Sequence, residues 1–497
     1  MKAKVNVLPI RTGGLPIIVL EPSFARDLDV QPMDRVVIRK AGNSVVATVD
    51  YYSKESDDYP VGVFEEVAER LELKSGDTVD IDIISKPQSL DFIKKKMDGE
   101  ELTSDEINSI VADIVNDTLT DTEISMFVAA VYTKGMTMNE TVCLTRAIAE
   151  TGSVLKFGKD IVVDKHCVGG VPGNRTTMII VPIMAALGYT MPKISSRAIT
   201  SPAGTADTME VLAPVTFSSS EIKRIVDKVG ACIAWGGGSD IASADDKMIR
   251  VRRPLSLDPE PLLLSSILAK KYAMGATHLI IDIPVAQDAK TRDIGEARVL
   301  EKSFVRVAEG LGMKTVVMVS DGDQPIGDGV GPLLEARDVV KVLRNHPKAP
   351  EDLREKALRM AAKLLVLVGR VDTEDEGYRL ASKTLSTGKA WKKMKEIIAA
   401  QGGDPNVNIK KLKPSKISYD IKSQRKGVVS DIDNHVVARV CRILGAPETK
   451  EAGVLFYKKY GAKVRKGQVI ATLYGASEAK LSMAKSYLKR HKMFDIR

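Results

Sequence analysis

The reading turns on residues 161–210, IVVDKHCVGG-VPGNRTTMII-VPIMAALGYT-MPKISSRAIT-SPAGTADTME. It opens as a strand, Ile161 to Val163, and continues through Asp164-Lys165-His166-Cys167 into a loop holding Gly169, Gly170 and Gly173. A helix is expected to open at Asn174-Arg175-Thr176-Thr177 and to run apolar from Met178 to Leu187. A second strand and turn follow, Ile194-Ser195-Ser196-Arg197 through Gly204-Thr205 to Asp207. Glycines let backbone N–H groups crowd an anion, a helix N-terminus adds positive partial charge, and Lys165 adds a full one. Both strand ends therefore read as phosphate-holding. The loop is neither a Walker P-loop nor a G-x-G-x-x-G fingerprint, so spacing by itself leaves an equal alternative: a structural glycine turn with Lys165 as a solvated cap.

From Asp160 onward strand and helix alternate. Apolar runs at Ile161, Ala231 to Trp235, Leu279 to Ile283 and Thr315 to Val319 read as buried parallel strands. In such α/β architecture ligands sit beyond the carboxyl ends of the strands, where the Asp164 loop, Arg197 and Gly236-Gly237-Gly238 fall. The triglycine alone reads as a turn. So does Gln324-Pro325-Ile326-Gly327 with Gly331-Pro332-Leu333-Leu334-Glu335, taken as a strand-to-helix connection.

Upstream, residues 1–86 carry an internal repeat. Ala25-Arg-Asp-Leu28-Asp-Val30-x-x-x-Asp34-x-Val36-x-Ile38 recurs 43 residues later as Ala68-Glu-Arg-Leu71-Glu-Leu73-x-x-x-Asp77-x-Val79-x-Ile81. Each copy reads as a short helix, a turn and an alternating strand, and two such halves suggest a small closed barrel without edge strands. Related barrels bind DNA; no basic cluster marks one face here, so an assembly or docking module is the favoured expectation. Residues 87–158 change to helical period. Thr103-x-x-Glu106, Thr120-x-x-Glu123 and Thr137-x-x-Glu140 announce three helices, with apolar stripes at Ile107, Ile110, Val111, Ile114 and at Ile124, Phe127, Val128, Val131, and Gly152 closes the third. Residues 159–414 form the central α/β part, and a lysine-rich stretch that begins around Gly402-Gly403-Asp404-Pro405 and includes Lys410, Lys411, Lys413 and Lys416 reads as a solvated linker. Residues 415–497 form a mixed α/β domain.

The 497 residues are enough for roughly three domains. An apolar share of 44%, a charged share of 28% and a net charge of +8 describe an ordinary globular chain without an obligatory nucleic-acid face. Four scattered cysteines and five histidines give no zinc or disulfide framework, and no apolar run approaches a membrane span. A cytoplasmic protein is expected, with no metal, no membrane and no nucleic-acid partner.

Asp164-Lys165-His166-x-x-Gly169-Gly170-Val171, followed by Ser195-x-Arg197-x(6)-Gly204-Thr205-x-Asp207-x-x-Glu210, resembles the thymidine phosphorylase family of nucleoside phosphorylases. Within it the stretch is most similar to the archaeal AMP phosphorylases. The resemblance covers nearly the whole chain. It implies a discontinuous helical domain, with a returning segment at about residues 250–275 facing the α/β domain across a cleft. It also gives the Gly453 to Leu473 stretch, which is similar to a lipoyl hammerhead without the modified lysine, as a C-terminal domain without cofactor.

The activity implied is phosphorolysis of AMP, extending to CMP and UMP, into free base and ribose 1,5-bisphosphate, with inorganic phosphate as co-substrate. Lys165, Gly169, Thr177 and Thr205 match or adjoin the phosphate positions. Gly170, Ser196, Arg197, Ala198, Ile199, Thr200, Ser201, Thr205, Ser266, Lys270 and Lys290 match substrate positions, with residues 196–201 and the Arg197 charge expected at a 5′-phosphate. Asp258 matches the proton donor to the purine ring, a role requiring a raised pKa; by sequence alone it reads as a helix N-cap ahead of Pro259. Thymidine-type enzymes carry serine at Cys167 and histidine at Ser201, which speaks against thymidine. A homodimer or larger homo-oligomer is the family expectation. The competing readings are a pyrimidine nucleoside phosphorylase and a non-enzymatic nucleotide- or DNA-binding scaffold.

Overall fold

The 43-residue repeat closes on itself in a computed structural model of the chain, which describes every residue except 14–15, 53–58, 85, 199–200, 239–240, 256 and 287–290. Its first half supplies β1 (Lys2–Val7), β2 (Ile17–Leu20), α1 (Pro22–Asp27) and β3 (Arg35–Lys40). The second supplies β4 (Asn43–Tyr51), β5 (Val61–Val63), α2 (Glu65–Leu71) and β6 (Thr78–Ile83). The strands close in the order β1-β5-β2-β4-β3-β6. Two strand pairs map onto themselves under the repeat, centred on Val19↔Gly62 and Ile38↔Ile81, so a pseudo-twofold axis runs through them. The repeated residues explain the symmetry. Leu28 and Leu71, Val30 and Leu73, Val36 and Val79, and Ile38 and Ile81 all enter the barrel core. Asp34 accepts the Gln31 N–H at 2.8 Å and Asp77 accepts the Lys74 N–H at 2.7 Å, so each half makes the same aspartate-held turn.

The chain divides into two units, Met1–Gly135 with Lys247–Leu257, and Met136–Asp246 with Asp258–Arg497. Besides the barrel, the first holds α3 (Ser89–Asp98), α4 (Ser104–Val115) and α5 (Asp121–Lys134). Both halves of the capping box form at Thr103/Glu106 and Thr120/Glu123, and the expected apolar stripes are buried. Each such fully buried side chain contributes about 1.5–3 kcal/mol. Arg35 of β3 meets both oxygens of Glu123 at 3.0 Å and ties barrel to helix. The helical stretch read as one domain is shared between the units, because α6 (Met138–Glu150), capped by Thr137 and Glu140, lies in the second.

In the second unit β7 (Val163–Cys167), β8 (Met191–Ser195), β9 (Ala231–Trp235), β10 (His278–Val285) and β11 (Lys314–Asp321) pair in parallel as β11-β10-β7 and β8-β9. A parallel bridge, Val162 to Thr190, joins the two pieces. The first strand lies later than expected. Buried on both faces and registered from Val163↔His278 to Cys167↔Asp282, it runs through Asp-Lys-His-Cys, so Lys165 is a strand residue and not a solvated cap. Helix α7 (Thr177–Ala186) follows; Thr177 through Ala185 are all buried, which is why it is apolar on every side.

The remaining helices are α8 (Thr205–Met209), α9 (Ser219–Val229), α10 (Ser243–Arg252), α11 (Glu260–Ala273), α12 (Ile294–Gly310), α13 (Pro332–Leu343), α14 (Glu351–Leu367), α15 (Glu374–Ser386), α16 (Lys389–Ala400), α17 (Asn434–Leu444) and α18 (Glu478–Leu488). The triglycine forms a single 3-10 turn, Gly236–Gly238. The short strand β12 (Gly329–Val330) leaves the α/β part to pair with the C-terminal strand β13 (Gly453–Phe456). The lysine-rich segment is less detached than expected: Val407, Ile409 and Leu412 pack on the α/β core. Among the described residues no helix is long and apolar enough to cross a membrane.

Candidate active site

Lys165 projects from β7 and is 1% exposed. Among the described residues its ammonium has no hydrogen-bond partner; what it has is charge around it. Burial, the largest influence, pulls its pKa down; Asp282 opposes this, while the Lys356 and Arg175 cations add to it. Neighbouring Cys167 is a neutral thiol, because burial pushes it up to about 12. It can therefore donate where a serine hydroxyl would.

The adjacent carboxylate is fully engaged. Asp282, on β10 opposite Cys167 and 0% exposed, accepts from Ser320 Oγ at 2.6 Å and Asn174 Nδ2 at 3.1 Å, and pairs with Lys356 Nζ at 2.9 Å. Burial pushes its pKa up, but Lys356 and Lys165 more than offset that, and it stays below the usual carboxylate range. Asn174 Nδ2 also reaches Cys167 Sγ at 3.2 Å and so fixes the glycine loop to the strand end.

That loop closes through Gly173 and Arg175. Gly173 has φ +75°, and a Cβ there would lie 2.1 Å from the Ile326 carbonyl oxygen, so only glycine fits. The Arg175 guanidinium bonds Glu335 and the Ala203 carbonyl, and donates to the Asn174 carbonyl at 3.0 Å and Thr205 Oγ1 at 3.4 Å. Glu335 also accepts from Thr208 Oγ1 at 3.1 Å and the Gly331 N–H at 3.0 Å. Thr205 opens α8, Thr177 opens α7, and Gly169 and Gly170 lie between β7 and α7. The Lys165 strand and the Thr205 helix are thus joined through Asn174 and Arg175 in one cationic notch. The Gln324–Glu335 segment, read as a mere turn, belongs to it through Ile326 and Glu335.

Beyond β8, Arg197 does not present a free charge. Its guanidinium meets Asp207 Oδ1 and Glu210 Oε2 at 3.0 Å and Glu210 Oε1 at 2.8 Å, and lies 4.7 Å over the Trp235 ring. The Ala198 N–H is taken by Asp207 at 2.7 Å. These bonds hold the loop in shape and engage the Arg197 charge and the Ala198 N–H, the two groups expected at a 5′-phosphate. Ser196 is exposed, and Ser201 Oγ bonds the Ala203 carbonyl at 2.7 Å. Ile199, Thr200 and Lys290 lie outside the described residues.

On α11, Ser266 Oγ and Lys270 Nζ both reach Asp245 Oδ2 at 2.7 Å. Next to them Lys271 pairs with Asp164 at 2.8 Å, which ties α11 to the β7 residue before Lys165. Asp258 is exposed and stands one residue before the α11 N-cap, which is Pro259, so the expected N-cap role falls to its neighbour. Among the described residues no group of three or more His, Cys, Asp or Glu is placed to hold a metal.

A relative from Thermofilum pendens named AMP phosphorylase is 44% identical over 99% of this chain and 94% of its own length. One of the same name from Thermococcus kodakarensis is 43% identical over 97% of this chain and 95% of its own. The chain belongs to the AMP phosphorylase family. Within the family's architecture, residues 90–152 match the glycosyl transferase family helical bundle domain, 159–391 its a/b domain, and 428–492 the pyrimidine nucleoside phosphorylase C-terminal domain. The fold alone is shared with anthranilate phosphoribosyltransferase from Thermus thermophilus, at TM-score 0.54 and 18% identity over 63% of this chain and 99% of that one. Sequence reasoning missed Asn174, Arg175, Asp282, Glu335 and Lys356 as site residues. Asn174, Arg175 and Glu335 stand in stretches quoted above, whereas Asp282 and Lys356 are common residue types far along the chain that enter only through sheet register and helix packing.

Proposed function

We propose that this chain catalyses phosphorolysis of AMP, and also of CMP and UMP, to the free base and ribose 1,5-bisphosphate. The observation that carries it is the buried Lys165 ammonium at a glycine loop, without a hydrogen-bond partner among the described residues, in a chain so close to proteins named AMP phosphorylase. An inorganic phosphate between Lys165, Gly169, Gly170, Thr177 and Thr205 supplies the acceptors that this ammonium lacks. Held there, its oxygen attacks C1′ as the bond from C1′ to the base nitrogen breaks through an oxocarbenium-like state. The electron pair leaves with the base, and for adenine a proton arrives at N7. Asp258 supplies that proton, and general acid help of this kind is worth about 10²–10⁴-fold. Asp258 is exposed, where an incoming base can reach it.

Ser266 and Lys270, oriented by Asp245, serve the nucleoside side, and Lys290 is a further substrate-binding residue. Gly170 and residues 196–201 accept the nucleotide, Arg197 and Ala198 by fixing the loop. No cofactor is needed, because phosphate is both nucleophile and second substrate. The enzyme works in the cytoplasm as a homodimer or larger homo-oligomer in nucleotide salvage, with no nucleic-acid or membrane partner. Assaying AMP, CMP, UMP, uridine and thymidine, each with and without phosphate, tests the reading. Phosphate-dependent base release from the nucleotides supports it; turnover of uridine with none of AMP overturns it.

A further inference from the structure

Around the notch, Lys165, Arg175 and Lys356 stand against the carboxylates Asp282 and Glu335, a one-cation excess in a buried space. Lys356 comes from α14, 9% exposed, and is needed by no step above. Its ammonium is 2.9 Å from Asp282 Oδ2 and donates to Ser320 Oγ at 2.9 Å, while Ser320 donates to Asp282 Oδ1 at 2.6 Å. With Asn174 on Oδ2 as well, both oxygens of Asp282 are occupied. Lys165, the other cation that feels Asp282, is left without a hydrogen bond to it.

We propose that Lys356 is a positioning residue for phosphate capture: by occupying Asp282 it keeps the Lys165 ammonium available to an incoming oxyanion. Without Lys356 the buried carboxylate turns to the other cation that acts on it, Lys165, and phosphate must compete with an internal ion pair. Arg175 cannot take that part, because Glu335 already holds it. The inference rests on the phosphate reading of the notch, and not on which nucleotide is cleaved.

The test is titration of the full-length protein with inorganic phosphate alone, and separately with AMP alone, at constant ionic strength. Lys356→Met is expected to weaken phosphate about tenfold or more, equivalent to about 1.4 kcal/mol, with AMP affinity unchanged. Lys356→Arg retains phosphate binding. In Lys356→Met/Asp282→Asn the competitor leaves with its partner and the local net charge is restored, so phosphate affinity returns to within about threefold of the parent. A merely structural pair gives a different pattern: the single variant loses stability and both ligands weaken together. That result overturns the proposal, as does a Lys356→Met protein that binds phosphate normally or a double variant as weak as the single. Should Lys356→Met not fold, the double variant decides by the same criterion. A parent protein that binds phosphate but does not cleave AMP refutes the substrate assignment and leaves this test intact.

Discussion

A buried ammonium without a hydrogen-bond partner costs several kcal/mol, and folded chains keep such groups where a ligand completes them. Among the described residues Lys165 is such a group. Lys165→Met should therefore cut kcat/KM for phosphate by about 10²–10³-fold, as removal of a charge-stabilising donor does, with KM for AMP changed little. Without phosphate the same variant should melt higher than the parent, since it relieves an uncompensated charge; calorimetry in phosphate-free buffer reads this. Asp328 offers a second check on local electrostatics. Burial, reinforced by nearby Asp338 and Asp352, pushes its carboxyl up to about 6 against the opposing Lys341 and Lys459. The folded chain thus holds this proton more tightly than the unfolded one, and stability is lost as pH rises from about 4 through 6. Asp328→Asn should raise Tm at pH 7.5, and the gain should shrink as pH falls to 5. A gain that grows toward acid would contradict the assignment.

At the scale of elements, the glycine loop can be separated from glycines in general. Gly173 and Gly188 both have positive φ, +75° and +93°, but an added Cβ meets the Ile326 carbonyl at the first and nothing within 4 Å at the second. Gly188→Ala should cost about 1 kcal/mol of backbone strain and leave kinetics alone. Gly173→Ala should also pry the loop from Ile326 and raise KM for phosphate at least about tenfold, since about 1 Å of displacement in a binding group costs that much or more. Elements were legible where physics is local: the capping boxes at Thr103, Thr120 and Thr137 all form, and the α7 run is helical. The β7 boundary was not, because an Asp-Lys-His-Cys run looks like loop until both faces are known to be covered. The Gln324–Glu335 turn was recognised as a turn, but its partnership with Gly173 and Arg175 depends on a neighbour about 150 residues away.

At the scale of the molecule, the repeat announced the barrel because both copies bury the same positions, whereas the division into two units left no mark in composition. Within the first unit Arg35 carries the tie between barrel and helices, 11% exposed and fork-to-fork with Glu123, which also caps α5. Arg35→Met should lower that unit's stability by about 1–3 kcal/mol, visible as an earlier calorimetric transition, and leave the phosphate affinity of the second unit unchanged. The site followed the same rule of legibility: Lys165 and its glycines declare themselves in sequence, while Asp282 and Lys356 enter only through sheet register and helix packing. The central claim, that the notch delivers inorganic phosphate to C1′ of a nucleotide, is tested most directly by following AMP and ¹⁸O-labelled phosphate with ³¹P NMR. Ribose 1,5-bisphosphate carrying the label on its 1-phosphate is the expected product; unlabelled ribose 5-phosphate with adenine, or no sugar product at all, would contradict it.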